Sequence, residues 1–221
     1  MLGRFGNTLL VNGETSHTIK AEPGEVHRLY ITNAATVRPF DFRIAGAQMK
    51  LVGGDNGRYE KETFVDSVVL GPSERAVLDI YFPEADSYPL EHRTPTKTYM
   101  LGKVEVSGER VSPVGPSFDL LRTDENLRKE FKKLRADFGS KKPDKVLRLL
   151  IAFDMTKMMG MMPGGMSGMS MDGHMHGTTE MGMGGMMGAP VPIEWEDDMG
   201  DMNTFSTSES VRWIMKDEET E

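Results

Sequence analysis

The most chemically distinctive residues of this chain lie in one window. Thirteen of the 19 methionines fall within 33 residues: Met155, Met158, Met159, Met161, Met162, Met166, Met169, Met171, Met175, Met181, Met183, Met186 and Met187. His174 and His176 flank Met175. A thioether sulfur is soft and uncharged, and soft ligands select Cu(I) over the hard divalent ions. Thioethers do not titrate near neutrality, so a site built from them survives mild acid that strips imidazole ligands. Met-Met, Met-x-Met and Met-x-x-Met spacings on a glycine-rich backbone let two or three sulfurs converge on one ion. The two imidazoles add nitrogens that can also hold Cu(II). The pattern predicts several weak, exchangeable copper positions, not one rigid site. Inert readings stand beside it: a Met-rich adaptable surface or a low-complexity linker with no ligand role, and a sponge for oxidants through sulfoxide formation. Ten glycines between Gly160 and Gly188 argue against a packed amphipathic helix.

The remaining candidates are weaker. His17, His27 and His92 are scattered, and His27 shares a face with Leu29 and Ile31, which reads as a structural imidazole. Gly53-Gly54-Asp55-Asn56-Gly57 lacks the Lys-Ser/Thr and following helix of a phosphate loop and reads as a turn between strands. Glu194, Glu196, Asp197, Asp198 and Asp201 could attract cations, but by themselves read as a solvated acidic face. With no cysteine in 221 residues, disulfides, thiolate zinc sites, iron–sulfur clusters, thiol nucleophiles and blue copper are excluded. The net charge of −8 is unevenly spread: residues 1–154 carry +1 and residues 155–221 carry −9. No basic face is left to neutralise phosphates, which argues against nucleic acid as a partner. No apolar run approaches the ~20 residues of a membrane span. Met1 to Gly6 runs directly into strand-like sequence, with no signal peptide.

The elements that must position these residues are mostly strands. Asn7–Asn12, Val26–Asn33, Phe40–Ala45, Ala47–Val52, Val65–Leu70, Glu74–Phe82 and Thr98–Val106 read as short strands punctuated by Gly and Pro, with Gly102 a bulge. That spacing predicts an antiparallel sandwich or barrel. Glu109–Phe118 reads as a linker. Thr123–Phe138 is the one helix, with an apolar stripe of Leu127, Phe131, Leu134 and Phe138, acidic residues in its first turn and Gly139 as its cap. Val146–Phe153 reads as a strand. Periodicity then collapses to Pro192, which predicts a long mobile loop. Strand-like sequence returns near Trp195 and at Ser210–Met215, the latter with no evident partner.

Several of these segments carry a resemblance. Gly3 to Gly13, Pro23 to Ala34 followed by Arg38-Pro39-Phe40, the turn Gly53 to Gly57, and Leu70-Gly71-Pro72-Ser73-Glu74-Arg75-Ala76 resemble, in order and spacing, the middle domain of three-domain multicopper oxidases of the laccase-like, metal-oxidising kind. Trp195 to Met199, Met202-Asn203 and Val211 to Met215 resemble the run-in to that family's third domain. The resemblance implies an all-β, cupredoxin-like Greek-key sandwich or barrel with one linker helix and a Met-rich loop. It implies copper as cofactor, the remaining cupredoxin domains as partners, and a periplasmic or secreted parent. It also implies a division into a middle domain (1–108), a linker with helix and return strand (109–153), a Met/His-rich loop (154–192) and the incomplete start of a further domain (193–221).

The departures from the family matter as much. Its catalytic copper is bound in the first and third domains by paired His-x-His motifs and a His-Cys-His run, and none of these is here. His174-Met175-His176 has the spacing but lies in the Met-rich loop, so no catalytic residue is carried over. The leading expectation is a fragment of a copper-dependent oxidase that couples substrate oxidation to dioxygen reduction, this chain supplying a structural domain and a copper-gathering loop. A stand-alone, non-catalytic copper carrier is the alternative. An interaction domain with an inert tail is the third reading.

Overall fold

The computed structural model describes residues 4–111, 115–154, 193–197 and 207–217. These fall into two compact units: residues 4–139 with 194–196, and the described parts of 140–193 and 197–221.

The first unit is a β-sandwich. Nine strands form it: β1 (His17–Ala21), β2 (Val26–Thr32), β3 (Phe40–Ile44), β4 (Gln48–Gly54), β5 (Gly57–Val65), β6 (Val68–Leu70), β7 (Arg75–Tyr81), β8 (Ser87–Arg93) and β9 (Thr98–Val106). One sheet has the order β1-β9-β8-β3-β6 and the other β2-β7-β4-β5. Only the β4–β5 and β8–β9 connections stay within a sheet; every other connection from β1 to β9 crosses to the opposite sheet. β1 runs parallel to β9, and the other pairings of the two sheets are antiparallel. The all-β sandwich expected from the sequence is the fold observed.

Alternation along the strands builds the core. Leu78 and Ile80 of β7, Ile44 of β3, Leu90 of β8 and Val104 of β9 are at most 2 % exposed and meet in one apolar layer between the sheets. Burying each such side chain contributes roughly 1.5–3 kcal/mol. The expected bulge is present: β8–β9 pairing passes from Leu90↔Gly102 to Glu91↔Met100, leaving Leu101 as the extra residue. Gly102 sits where β1 comes closest, and a Cβ there would overlap the carbonyl of His17. The Gly53–Gly57 segment is the β4–β5 hairpin, with Gly57 at φ +101°.

Four sequence readings are corrected. Asn7–Asn12 forms no strand: only Val11 pairs, with Glu14, in a tight turn. β1, β5 and β8 are strands that the pattern did not reveal. Val65–Leu70 is not one strand but the end of β5 and all of β6. The apolar stripe of the helix is not buried: Leu134 is 42 % and Phe138 63 % exposed.

The segment after β9 is bound to the outer edge of the four-stranded sheet. A short turn of helix, α1 (Gly115–Phe118), leads to an extended stretch that hydrogen-bonds to β5 through Glu62 N–H to Arg122 C=O and Asp124 N–H to Glu60 C=O. Asp124 then caps α2 (Glu125–Phe138) by accepting from the N–H groups of Asn126 and Leu127. α2 is held to β5 by polar contacts: Arg135 donates to Glu60 at 2.7 Å and Arg58 lies 3.4 Å from Asp124. Gly139 caps the helix in right-handed conformation, donating to the Arg135 carbonyl.

In the second unit, β10 (Leu147–Phe153) pairs antiparallel with β11 (Val211–Asp217). The partner that Ser210–Met215 lacked in the sequence is therefore the return strand, through cross-strand pairs such as Leu149↔Met215 and Ile151↔Trp213. Among the described residues no helix is long and apolar enough to cross a membrane.

Leu78→Ala, which opens a void between the sheets, is expected to cost about 2–5 kcal/mol in urea unfolding. Gly102→Ala is expected to release β1 selectively, seen as lost hydrogen-exchange protection at Ile19 and Lys20 while β7 amides stay protected.

Candidate functional site

All fifteen predicted ligands, Met155 through Met187 with His174 and His176, lie outside the described residues, as do Asp198 and Asp201 of the acidic cluster. The structure does describe the residues on either side of that segment. Upstream, β10 ends at Phe153, and the Asp154 N–H donates to the Ser210 carbonyl at 2.8 Å. Downstream, Glu194–Glu196 belongs to the sandwich unit.

The downstream anchor is a specific polar and aromatic cluster at the end of the sandwich. Alternation along β8 points Tyr88, Leu90 and His92 inward. His92 is fully buried and its ring is surrounded by Phe40 at 4.8 Å, Tyr99 stacked at 5.5 Å and Trp195 at 6.2 Å. The Asp41 N–H donates to His92 Nδ1, which assigns the ring proton to Nε2. Burial, followed by the positive charge of Arg38, pushes the His92 pKa below its ordinary value. The Tyr99 hydroxyl donates to Glu196 Oε1 at 2.7 Å, and this bond is the main cause holding the Glu196 carboxyl below the usual range. Arg38, nearly buried, donates to the carbonyls of Phe5, Gly6 and Trp195 and lies 3.7 Å from Glu196. Glu196 is thus not part of a solvated acidic face. The signal that could have located this cluster was weak: Tyr88, Leu90 and His92 alternate, but Pro89 interrupts the run.

A second cluster lies on the outer face of the four-stranded sheet. Strand register sets Arg28 opposite Asp79, Asp79 opposite Lys50, and Lys50 opposite Phe64. Arg28 binds Asp79 through two hydrogen bonds of 2.6 and 2.7 Å, and this pairing raises the Arg28 pKa. Lys50 is 1 % exposed; its Nζ donates to the Leu120 carbonyl at 2.9 Å, lies 3.4 Å from Glu62 and sits 4.4 Å from the centre of the Phe118 ring. Phe118 stacks on Tyr81. The cluster pins residues 118–122 to the sheet.

Neither cluster is a copper centre. Each described histidine already has a partner: His17 Nδ1 with Glu14, His27 Nε2 with Glu25, His92 Nδ1 with the Asp41 amide. His27 also meets Phe82 edge-on, as a structural imidazole does. Among the described residues no group of three or more His, Asp or Glu could hold a metal ion. The sandwich therefore does not fit a bound copper.

The two titrating groups of the downstream anchor define separate pH windows. A His with a lowered folded pKa contributes its full stability above its unfolded value of 6.5, and loses it as pH falls below that. Glu196, lowered by Tyr99, loses its contribution only as pH falls below 4.5. Urea midpoints are expected to drop in two stages on acidification. His92→Gln is expected to remove the upper stage and Tyr99→Phe to weaken the lower one.

Residues 3–100 match the family model described as multicopper oxidase. Solved structures similar to this chain include a multicopper oxidase of Campylobacter jejuni described as a metallo-oxidase, with 25 % identity over 72 % of this chain and 32 % of that one, at a TM-score of 0.47. A laccase-like multicopper oxidase from an Ochrobactrum species shows 24 % identity over 50 % of this chain and 27 % of its own, at 0.45. A multicopper oxidase from Aquifex aeolicus shows 18 % identity, covering 51 % of this chain and 28 % of its own, at 0.43. The chain thus spans a third or less of the length of each. No curated protein matches it.

Proposed function

We propose, from the match of residues 3–100 to the multicopper oxidase family model, that the chain is the part of a copper-dependent oxidase that supports and supplies its copper sites without containing them. The observation that carries this reading is the separation of roles. The sandwich has a family match but no free ligand set among its described residues, while the soft donors are concentrated in Met155–Met187. Copper is the cofactor the family implies, and in a whole enzyme it would supply the electron-transfer chemistry between substrate and dioxygen.

In this reading the middle-domain sandwich (1–108) is structural, 109–153 links it onward, 154–192 gathers copper, and 193–221 begins a further cupredoxin domain. The thioethers and the two imidazoles bind Cu(I) and pass it on, because neutral sulfur donors hold it without a proton having to leave. Copper ions and the remaining cupredoxin domains are the partners, and the setting is periplasmic or secreted. What this chain's own residues do is hold one root of the segment: Trp195 against His92 and Glu196 against Tyr99 and Arg38 fix its downstream end to the sandwich.

The chain is expected to withdraw Cu(I) from a chromogenic chelator, and a variant with the methionines of 155–187 changed to leucine is expected to lose most of that capacity. The copper-loaded chain is expected to show neither an intense blue band nor oxidase turnover. A leucine variant that competes as well as the parent would overturn the copper-gathering role, and a blue band would overturn the non-catalytic one.

A further inference from the structure

One side of the sandwich is not closed by strand pairing. β1 is the outer strand of the five-stranded sheet and β2 the outer strand of the four-stranded one. Both line a cleft of about 770 Å³. Its floor is the core itself, including Phe42, Leu90 and Leu101, and its walls include Ile19 of β1 and Leu29 of β2. Residues 8–13 complete the wall. Within them the backbone bonds between Val11 and Glu14 are the ones that tie the stretch down, and Leu9 and Val11 lie half-buried against the core. This explains why an apolar run that reads as a strand does not become one: its side chains cover core surface while its backbone joins neither sheet.

The chemistry of the wall restricts what can enter. Among the described lining residues the basic side chains are His17, Arg28 and Arg38, each already engaged, and none is a carboxylate. His17 Nδ1 lies 2.7 Å from Glu14, Arg28 is paired twice with Asp79, and Arg38 donates to the carbonyls of Phe5 and Gly6. A charged ligand would find no free counter-charge among the described lining residues, and desolvating it uncompensated is costly. The volume lies in the range of small-molecule sites, roughly 300–1,000 Å³. We propose that this cleft binds a neutral, apolar small molecule, aromatic or branched aliphatic, independently of copper.

The probe is N-phenyl-1-naphthylamine, a neutral fluorophore, titrated into the full chain without metal. The expected result is saturable binding of one molecule per chain with blue-shifted emission. Leu29→Trp and Ile19→Phe, which fill the cleft from opposite walls, are each expected to weaken it about tenfold or more, the scale of one apolar group in a pocket. Met215→Lys, on the exposed face of the β10–β11 pair, is expected to leave it unchanged. Amide shift changes in the unaltered chain are expected to concentrate in β1, β2 and residues 8–13, a readout that stands even if both filling variants misfold. The proposal is overturned by non-saturable binding, by unchanged affinity in a folded filling variant, by loss on Met215→Lys, or by equal affinity for the sulfonated, anionic analogue.

Discussion

Leu78 and Ile80, on β7 between β2 and β4, have no solvent exposure, and the layer they form with Ile44, Leu90 and Val104 is what the rest of the sandwich depends on. A strand places successive side chains on opposite faces. Once Leu78 and Ile80 face the other sheet, Asp79 and Tyr81 must face away from it. The same constraint turns Lys50 outward beside Asp79 and Phe64 outward beside Lys50. The outer row that grips residues 118–122 is therefore a consequence of the inner layer. So is the position of His92, which follows Tyr88 and Leu90 inward and forms the surface on which Trp195 rests.

The polar clusters carry a different energetic logic from the core. Arg28–Asp79 and Lys50–Glu62 are buried on at least one side, with Asp79 8 % and Lys50 1 % exposed at the side chain. Replacing both members of such a pair by apolar groups can be close to neutral, whereas removing one leaves a buried charge without a partner. Their contribution is to specify where a connecting segment lies. Lys50 recognises a backbone carbonyl and an aromatic face at once, so the stretch from Phe118 to Leu120 has one favoured register on the sheet. Tyr99, Arg38 and His92 do the same for Trp195 and Glu196.

In the proposed reading these anchors bear on function because metal binding and support fall to different parts of the chain. Histidines that are already hydrogen-bonded, in a body without cysteine, make a poor copper site. They serve a frame instead, each fixed through a ring nitrogen, His92 by the Asp41 amide and by the rings packed around it. Soft donors, in contrast, work as an exchangeable store only where several neighbouring sulfurs can share an ion. In the proposed reading, thirteen methionines in one window would supply that chemistry.

Much of the fold was legible because β2, β3, β4, β7 and β9 alternate cleanly between apolar and polar residues. β5 and β8 were not, for separate reasons. Arg58 to Glu62 is rich in charge, and only the approach of α2 and residues 122–124 shows that those charges have partners. In β8, Pro89 breaks the local signal, yet the strand stands because its neighbours on both sides supply pairing. Residues 7–12 misled in the opposite direction: apolar content marks what will be buried, not whether a backbone will find a strand to pair with. By itself the sequence determined the all-β class, the alternating core, the helix with its Gly139 cap and the soft-donor window, because each is a property of neighbouring residues. Only the tertiary structure decided that β11 pairs with β10, that Lys50 and His92 are buried, and that Glu196 is drawn to Tyr99. Those outcomes join residues tens of positions apart, and their free energy comes from desolvation and pairing that no local pattern encodes.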